Sequence, residues 1–78
     1  MEENTTEKPD ELKKLTTIAT DMQLPSQLRT NSIDHIGNMG NHIALLALLE
    51  LAANTKLNTD ERDLALKRAR DIIKSGRE

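Results

Sequence analysis

The stretch His42-Ile43-Ala44-Leu45-Leu46-Ala47-Leu48-Leu49-Glu50-Leu51-Ala52-Ala53 decides how this chain folds. It consists almost wholly of good helix formers, and nowhere does it alternate apolar with polar in the manner of a half-buried strand. At about 100° per residue its apolar side chains cover nearly the whole circumference of a helix rather than one stripe. Such a helix is either the central one of its fold or the one that meets a partner. We place it at 41–54. Its unbroken apolar run, 43–49, falls far short of the about 20 residues that cross a bilayer.

Toward the C-terminus, Asn58 followed three residues later by Glu61 is a capping signal. Ala65, Leu66, Ala69, Ile72 and Ile73 then make the apolar face of a fourth helix, which Gly76 ends. Its first turn is acidic and its last is basic, the order the helix dipole favours. Toward the N-terminus, Pro25 opens a second helix over 25–38 with Leu28, Ile33, Ile36 and Met39 along one stripe, and the glycine-containing segment 37–40 stops it. Pro9, Asp10 and Glu11 suit the first turn of another helix, over 9–22, whose stripe is Leu12, Leu15, Ile18, Ala19 and Met22. Residues 1–8 are polar and aperiodic, so we expect a disordered acidic tail followed by a single helical domain over 9–76. The expected fold is all-α: four short helices arranged as two stacked helical hairpins, either a repeat pair or a compact four-helix bundle.

Sliding the chain against itself until Leu15 falls on Leu48 also places Ile18 on Leu51, Ala19 on Ala52, Leu24 on Leu57, Arg29 on Arg62, Ser32 on Ala65 and Ile33 on Leu66. A period of this size, roughly 33 residues, is typical of helical arrays, in which one hairpin cannot bury its own apolar face. The segment Leu28-Arg29-Thr30-Asn31-Ser32-Ile33-Asp34-His35-Ile36-Gly37-Asn38-Met39-Gly40 resembles the second helix of a HEAT-like repeat, with its aliphatic-Arg pair, a small residue three positions after the Arg and an apolar-Gly ending. Glu61-Arg62-Asp63-Leu64-Ala65 echoes it less closely. The resemblance implies a scaffolding, protein-binding molecule without chemistry of its own. It also implies an ion pair between Asp21 and Arg29, whose counterpart in the second hairpin is lost because Asn54 stands where Asp21 does in the first.

Composition narrows the function classes. The 78 residues include no Cys and no aromatic side chain, with 11 basic against 13 acidic groups. Without Cys there is no disulfide, thiolate nucleophile or usual structural zinc site. Without Trp, Tyr or Phe, base stacking has no platform. The polar, acidic start of the chain reads as neither signal nor transit peptide, and we expect a cytoplasmic location. The charge is uneven: residues 1–11 carry five acids and one base, whereas Lys67, Arg68, Arg70, Lys74 and Arg77 crowd the C-terminus against Asp71 alone.

Among individual residues, Arg29 and Arg62 lie angularly inside or beside apolar stripes, and we read both, with Asp21, as structural, their stems packed on Leu and their heads tying the hairpins. His35 and His42 are separated by the glycines, so helical spacing cannot bring their rings together, and no metal site is expected. Glu50 interrupts the apolar run; as a buried group it would be a general base, but without a partner it belongs on a solvent strip. No nucleophile elbow or phosphate loop is present, and we find no sequence case for an enzyme, a cofactor or a small-molecule substrate. The second and third helices superficially match a helix-turn-helix, yet the third offers Leu and Ala where base edges need polar side chains. The leading expectation is a non-catalytic interaction or adaptor domain, binding a protein partner or a second copy through Ile43, Leu46, Ala47 and Glu50. One alternative is a regulator that holds DNA or an acidic partner on the basic patch Lys67, Arg68, Arg70 and Lys74, although nucleic acid is disfavoured by the acidic total. The other is a small helical immunity or inhibitor protein. No membrane role is expected.

Overall fold

The computed structural model describes residues 7–75, and these form four helices: α1 (Glu7–Ala19), α2 (Ser26–Met39), α3 (His42–Ala52) and α4 (Thr59–Ser75). No strand occurs among the described residues, so the fold is all-α as the spacing predicts. Residues 1–6 of the expected tail, and Gly76 at the expected end of the last helix, lie outside the described residues. Glu7 and Lys8 do not belong to a tail, because α1 starts ahead of Pro9. A proline as third helical residue costs nothing there, since the first four N–H groups of a helix have no intrahelical acceptor.

Both first helices of the hairpins end earlier than their apolar spacing suggests, and for the same reason. Asp21 Oδ1 accepts the Gln23 N–H at 2.9 Å, and at the equivalent place in the second hairpin Asn54 Oδ1 accepts the Lys56 N–H at 2.9 Å. The backbone bonds repeat at that offset: Asp21 N–H to Ile18 C=O with Asn54 N–H to Leu51 C=O, and Leu24 N–H to Asp21 C=O with Leu57 N–H to Asn54 C=O. Short Asp and Asn side chains offer the backbone a local turn in place of another helical bond. The recurrence seen in the sequence is thus a recurrence of turn geometry. Met22, counted in the first stripe, falls in the turn and is exposed.

Between the hairpins, α2 runs on through Gly37 and ends only at Met39, where Gly40 takes φ 65°, a left-handed cap that glycine adopts without steric cost. Asn41 then caps α3 by accepting the Ala44 N–H at 2.8 Å. Within each hairpin the helices pack closely, α1 on α2 and α3 on α4, and the hairpins stack mainly through α2 and α4. Those two run parallel, because side chains near both their starts and their ends are bonded across a separation of 30 to 35 residues. The result is a slab 17 Å thick, which corresponds to two helix layers, α2 with α4 and α1 with α3.

The core between the layers holds Ile33, Ile36, Ala44, Leu48, Leu51 and Ala65, each at most 2% exposed. Three stripes are only partly covered: Ile18 on α1, Leu28 on α2, and Leu66 and Ile73 on α4 point to solvent. Helical spacing identifies an apolar face, whereas the number of neighbouring helices sets how much of it is covered. The same limit resolves α3. It buries Ala44, Leu45, Leu48 and Leu51 but leaves Ile43, Leu46 and Leu49 between 40% and 50% exposed, so it is not an enclosed central helix. No described helix is long and apolar enough to cross a membrane.

Candidate interaction surface

Because α1 and α3 touch only slightly, a groove opens between them. Leu12, Lys13 and Thr16 of α1 line one side, and Ile43, Leu46, Ala47 and Glu50 of α3 line the other. Leu12, 7% exposed, lies at the edge of the core, while Ile43 and Leu46 stand half exposed. All four residues singled out in the sequence as partner-binding therefore share one surface. Glu50 is exposed and belongs to the solvent strip rather than to a buried base site. Sequence reasoning misses the α1 wall. Its one signal lies in Lys13 and Thr16, the counterparts of Leu46 and Leu49 in the internal repeat and polar where those are apolar.

The strongest electrostatic cluster lies elsewhere, where α2 and α4 begin. The Glu61 side chain is fully buried. Its Oε2 accepts from Ser26 Oγ at 2.6 Å and from Arg29 Nε at 2.9 Å, and Arg29 Nη2 lies 2.7 Å from the same oxygen. Its Oε1 accepts the Asn58 N–H at 3.1 Å, while Asn58 Oδ1 accepts the Glu61 N–H at 2.8 Å. These last two bonds form the capping box expected from the spacing. Burial by itself would raise the Glu61 pKa, but hydrogen bonds from Ser26, Arg29 and Asn58 and the Arg29 charge outweigh it and hold the carboxyl below its ordinary value.

Arg29 is bonded within the fold, but its partner is not Asp21. The Asp21 carboxylate is engaged by the Gln23 N–H in its own turn. Arg29 instead joins Glu61 and also donates through Nη1 to the Leu24 carbonyl. Arg62 donates through Nε to the Ala52 carbonyl at 3.0 Å, tying α4 to the end of α3.

The basic stripe of α4 is interrupted. Arg68 lies flat over Gly37, with Nη1 donating to Asp34 at 3.0 Å, Nη2 to Asn38 at 2.9 Å, and Nε 3.5 Å from Asp71. A Cβ at position 37 would stand 2.7 Å from the Arg68 Cζ, so the glycine is a cradle rather than a helix stop. Lys67, Arg70 and Lys74 remain exposed. His35 and His42 are exposed as well, and among the described residues no group of three His, Cys, Asp or Glu side chains is placed to hold a metal ion. A shallow depression on α1, lined by Asp10, Lys13, Lys14, Thr17 and Ile18, is continuous with solvent. The chain matches no protein family, no curated protein and no solved structure.

Proposed function

We propose that this protein is a non-catalytic interaction module that docks a segment of another protein in the groove between α1 and α3. The observation that carries the reading is the pair Ile43 and Leu46, half exposed on a helix whose opposite side is fully packed. Two exposed aliphatics side by side, rimmed by Lys13 and Glu50, suit a short apolar segment flanked by one acidic and one basic group. The HEAT-like reading of the two hairpins is part of the same proposal, and the recurrence of the turn bonds from one hairpin to the next supports it. The alternative of a nucleic-acid or acidic partner on α4 is weakened, because Arg68 is bonded within the fold and Asp63 and Asp71 stand among the remaining cations.

The test compares the wild-type chain with Leu46→Asp in affinity capture from native cells. Leu46 is half exposed, so the variant is expected to keep the helical spectrum at a cost of about 1–2 kcal/mol, from the lost partial burial and the lower helix propensity of Asp. A protein recovered by wild type and lost by Leu46→Asp supports the groove as the binding surface. Identical recovery by both chains overturns it.

A further inference from the structure

We propose that the outer face of the second hairpin is a two-fold interface with a second copy of this chain, α4 lying antiparallel on α4. The internal repeat shows why that face is unfinished. Ile33 of α2 is fully buried where the second hairpin covers the first, and its counterpart on α4, Leu66, is 37% exposed. Thr16 lines the groove that faces α3, and its counterpart Leu49 is 40% exposed. Ile73, one heptad beyond Leu66, is 53% exposed. The second hairpin thus leaves Leu66 in solvent at the place where the first buries Ile33, and adds exposed aliphatics at Leu49 and Ile73, where the first has Thr16 and Gly40.

The other end of the stack is chemically different. Glu61 and Arg68 reach back to α2, so their counterparts Leu28 and His35 face away from it. Around Leu28 that end carries exposed Asp10, Lys14, Thr17, Asn31 and His35, with Ile18 37% exposed beside Lys14 and Thr17, a mixed face of charges and separate aliphatics.

A copy added head to tail does not fit. It would set its Leu28 against Arg62, where the existing junction sets Glu61 against Arg29. It would also press its His35 onto Arg70, the counterpart of Gly37, whose missing Cβ lets Arg68 lie flat. An antiparallel copy does fit. Asp63, Leu66, Arg70 and Ile73 recur along α4 at the three-and-four spacing of a single helical seam and all face outward, with Leu66 and Ile73 exposed as above. With the two-fold axis between Leu66 and Lys67, the two Leu66 side chains pack beside one another, Asp63 meets Arg70 of the partner subunit on both sides, and Ile73 lies over the first turn of the partner's α4. Reversal of the helix turns its acid-to-base gradient into two matching halves.

Sedimentation equilibrium decides the matter. The wild-type chain is expected at twice its 8.7 kDa mass. Leu66→Asp is expected to be monomeric with unchanged helicity, and Asp63→Arg alone to weaken association by about tenfold or more. Mixing Asp63→Arg chains with Arg70→Asp chains restores an opposite pair at every contact, so the mixture is expected to dimerise as wild type does. A wild-type monomer at millimolar concentration, a dimer unaffected by Leu66→Asp, or a mixture that fails to recover would each overturn the proposal. Leu46→Asp, which alters the groove between α1 and α3, leaves this dimer intact, so the two surfaces stand or fall separately.

Discussion

The two hairpins share their turns and differ in how their second helices begin. In the second hairpin, α4 starts with its own reciprocal cap between Asn58 and Glu61. In the first, α2 follows Pro25, which makes no side-chain cap bond, and its opening residues Ser26 and Arg29 turn to Glu61 of the other hairpin. One carboxylate therefore caps α4 and anchors two side chains from the first turn of α2. A repeated backbone does not imply repeated energetics: the second hairpin caps its own helix, whereas the first has no such cap and is held there through side chains to the second.

The largest test of that asymmetry is Glu61→Ala set beside Leu28→Ala, its counterpart in the first hairpin. Removing Glu61 leaves the nearly buried Arg29 guanidinium uncompensated, a loss of about 3–5 kcal/mol. This is comparable with the whole stability of a small domain, about 5 kcal/mol at the low end. Leu28 is 45% exposed, and its truncation is expected to cost about 1 kcal/mol or less. Urea unfolding followed by circular dichroism reads both, and equal losses would break the comparison.

Arg29→Ala and Arg62→Ala sharpen it further. The first strips a buried carboxylate of its cation and is expected to cost about 3 kcal/mol. The second removes one hydrogen bond to the Ala52 carbonyl, worth about 1 kcal/mol. A melting midpoint unchanged by Arg29→Ala would sink the account of the cluster.

A smaller, graded effect is expected from acid. Because the Glu61 pKa is lowered in the folded protein, its contribution is complete above the ordinary carboxylate value and is lost as pH falls through the folded one. Stability should decline across that interval in the wild-type chain. Glu61→Gln, which cannot titrate there, should show a flatter acid limb in thermal melts recorded as a function of pH.

The smallest effect concerns Gly37 under Arg68. Replacing a helical glycine by alanine gains about 0.5–1 kcal/mol of backbone preference. Here the new methyl group must push the guanidinium off Asp34 and Asn38, so Gly37→Ala is expected to be near neutral. In an Arg68→Ala background the same change should stabilise by the full amount, and a double-mutant cycle of melting midpoints checks the difference.

Features set by nearby residues are legible in the sequence. The apolar spacing of Leu12 with Ala19 and of Ala65 with Ile72, the Asn58 to Glu61 cap and the recurrence of one hairpin in the next all appear in the structure. Features that join distant segments are not. Asp21 lies close to Arg29 in sequence and suggests itself as the partner, yet the Gln23 N–H occupies it and Glu61 arrives from 32 residues away. Glu61 gives one signal beyond its cap: it stands one turn before Ala65, on the buried side of α4. Gly37 reads as a helix breaker until the Arg68 side chain is seen lying across it. The half of the groove on α3 is visible as excess apolar circumference, whereas its α1 wall depends on how the hairpins stack.

The shared carboxylate also governs how the molecule comes apart. Stacked helical units ordinarily fray from one end, each lost at its own denaturant concentration. Here opening either hairpin breaks the Glu61 cluster and uncovers the packed surface between α2 and α4, so a half-melted species loses the ion pair together with the burial the two hairpins share. The domain is therefore expected to unfold in one all-or-none step, despite being assembled from two copies of the same pattern.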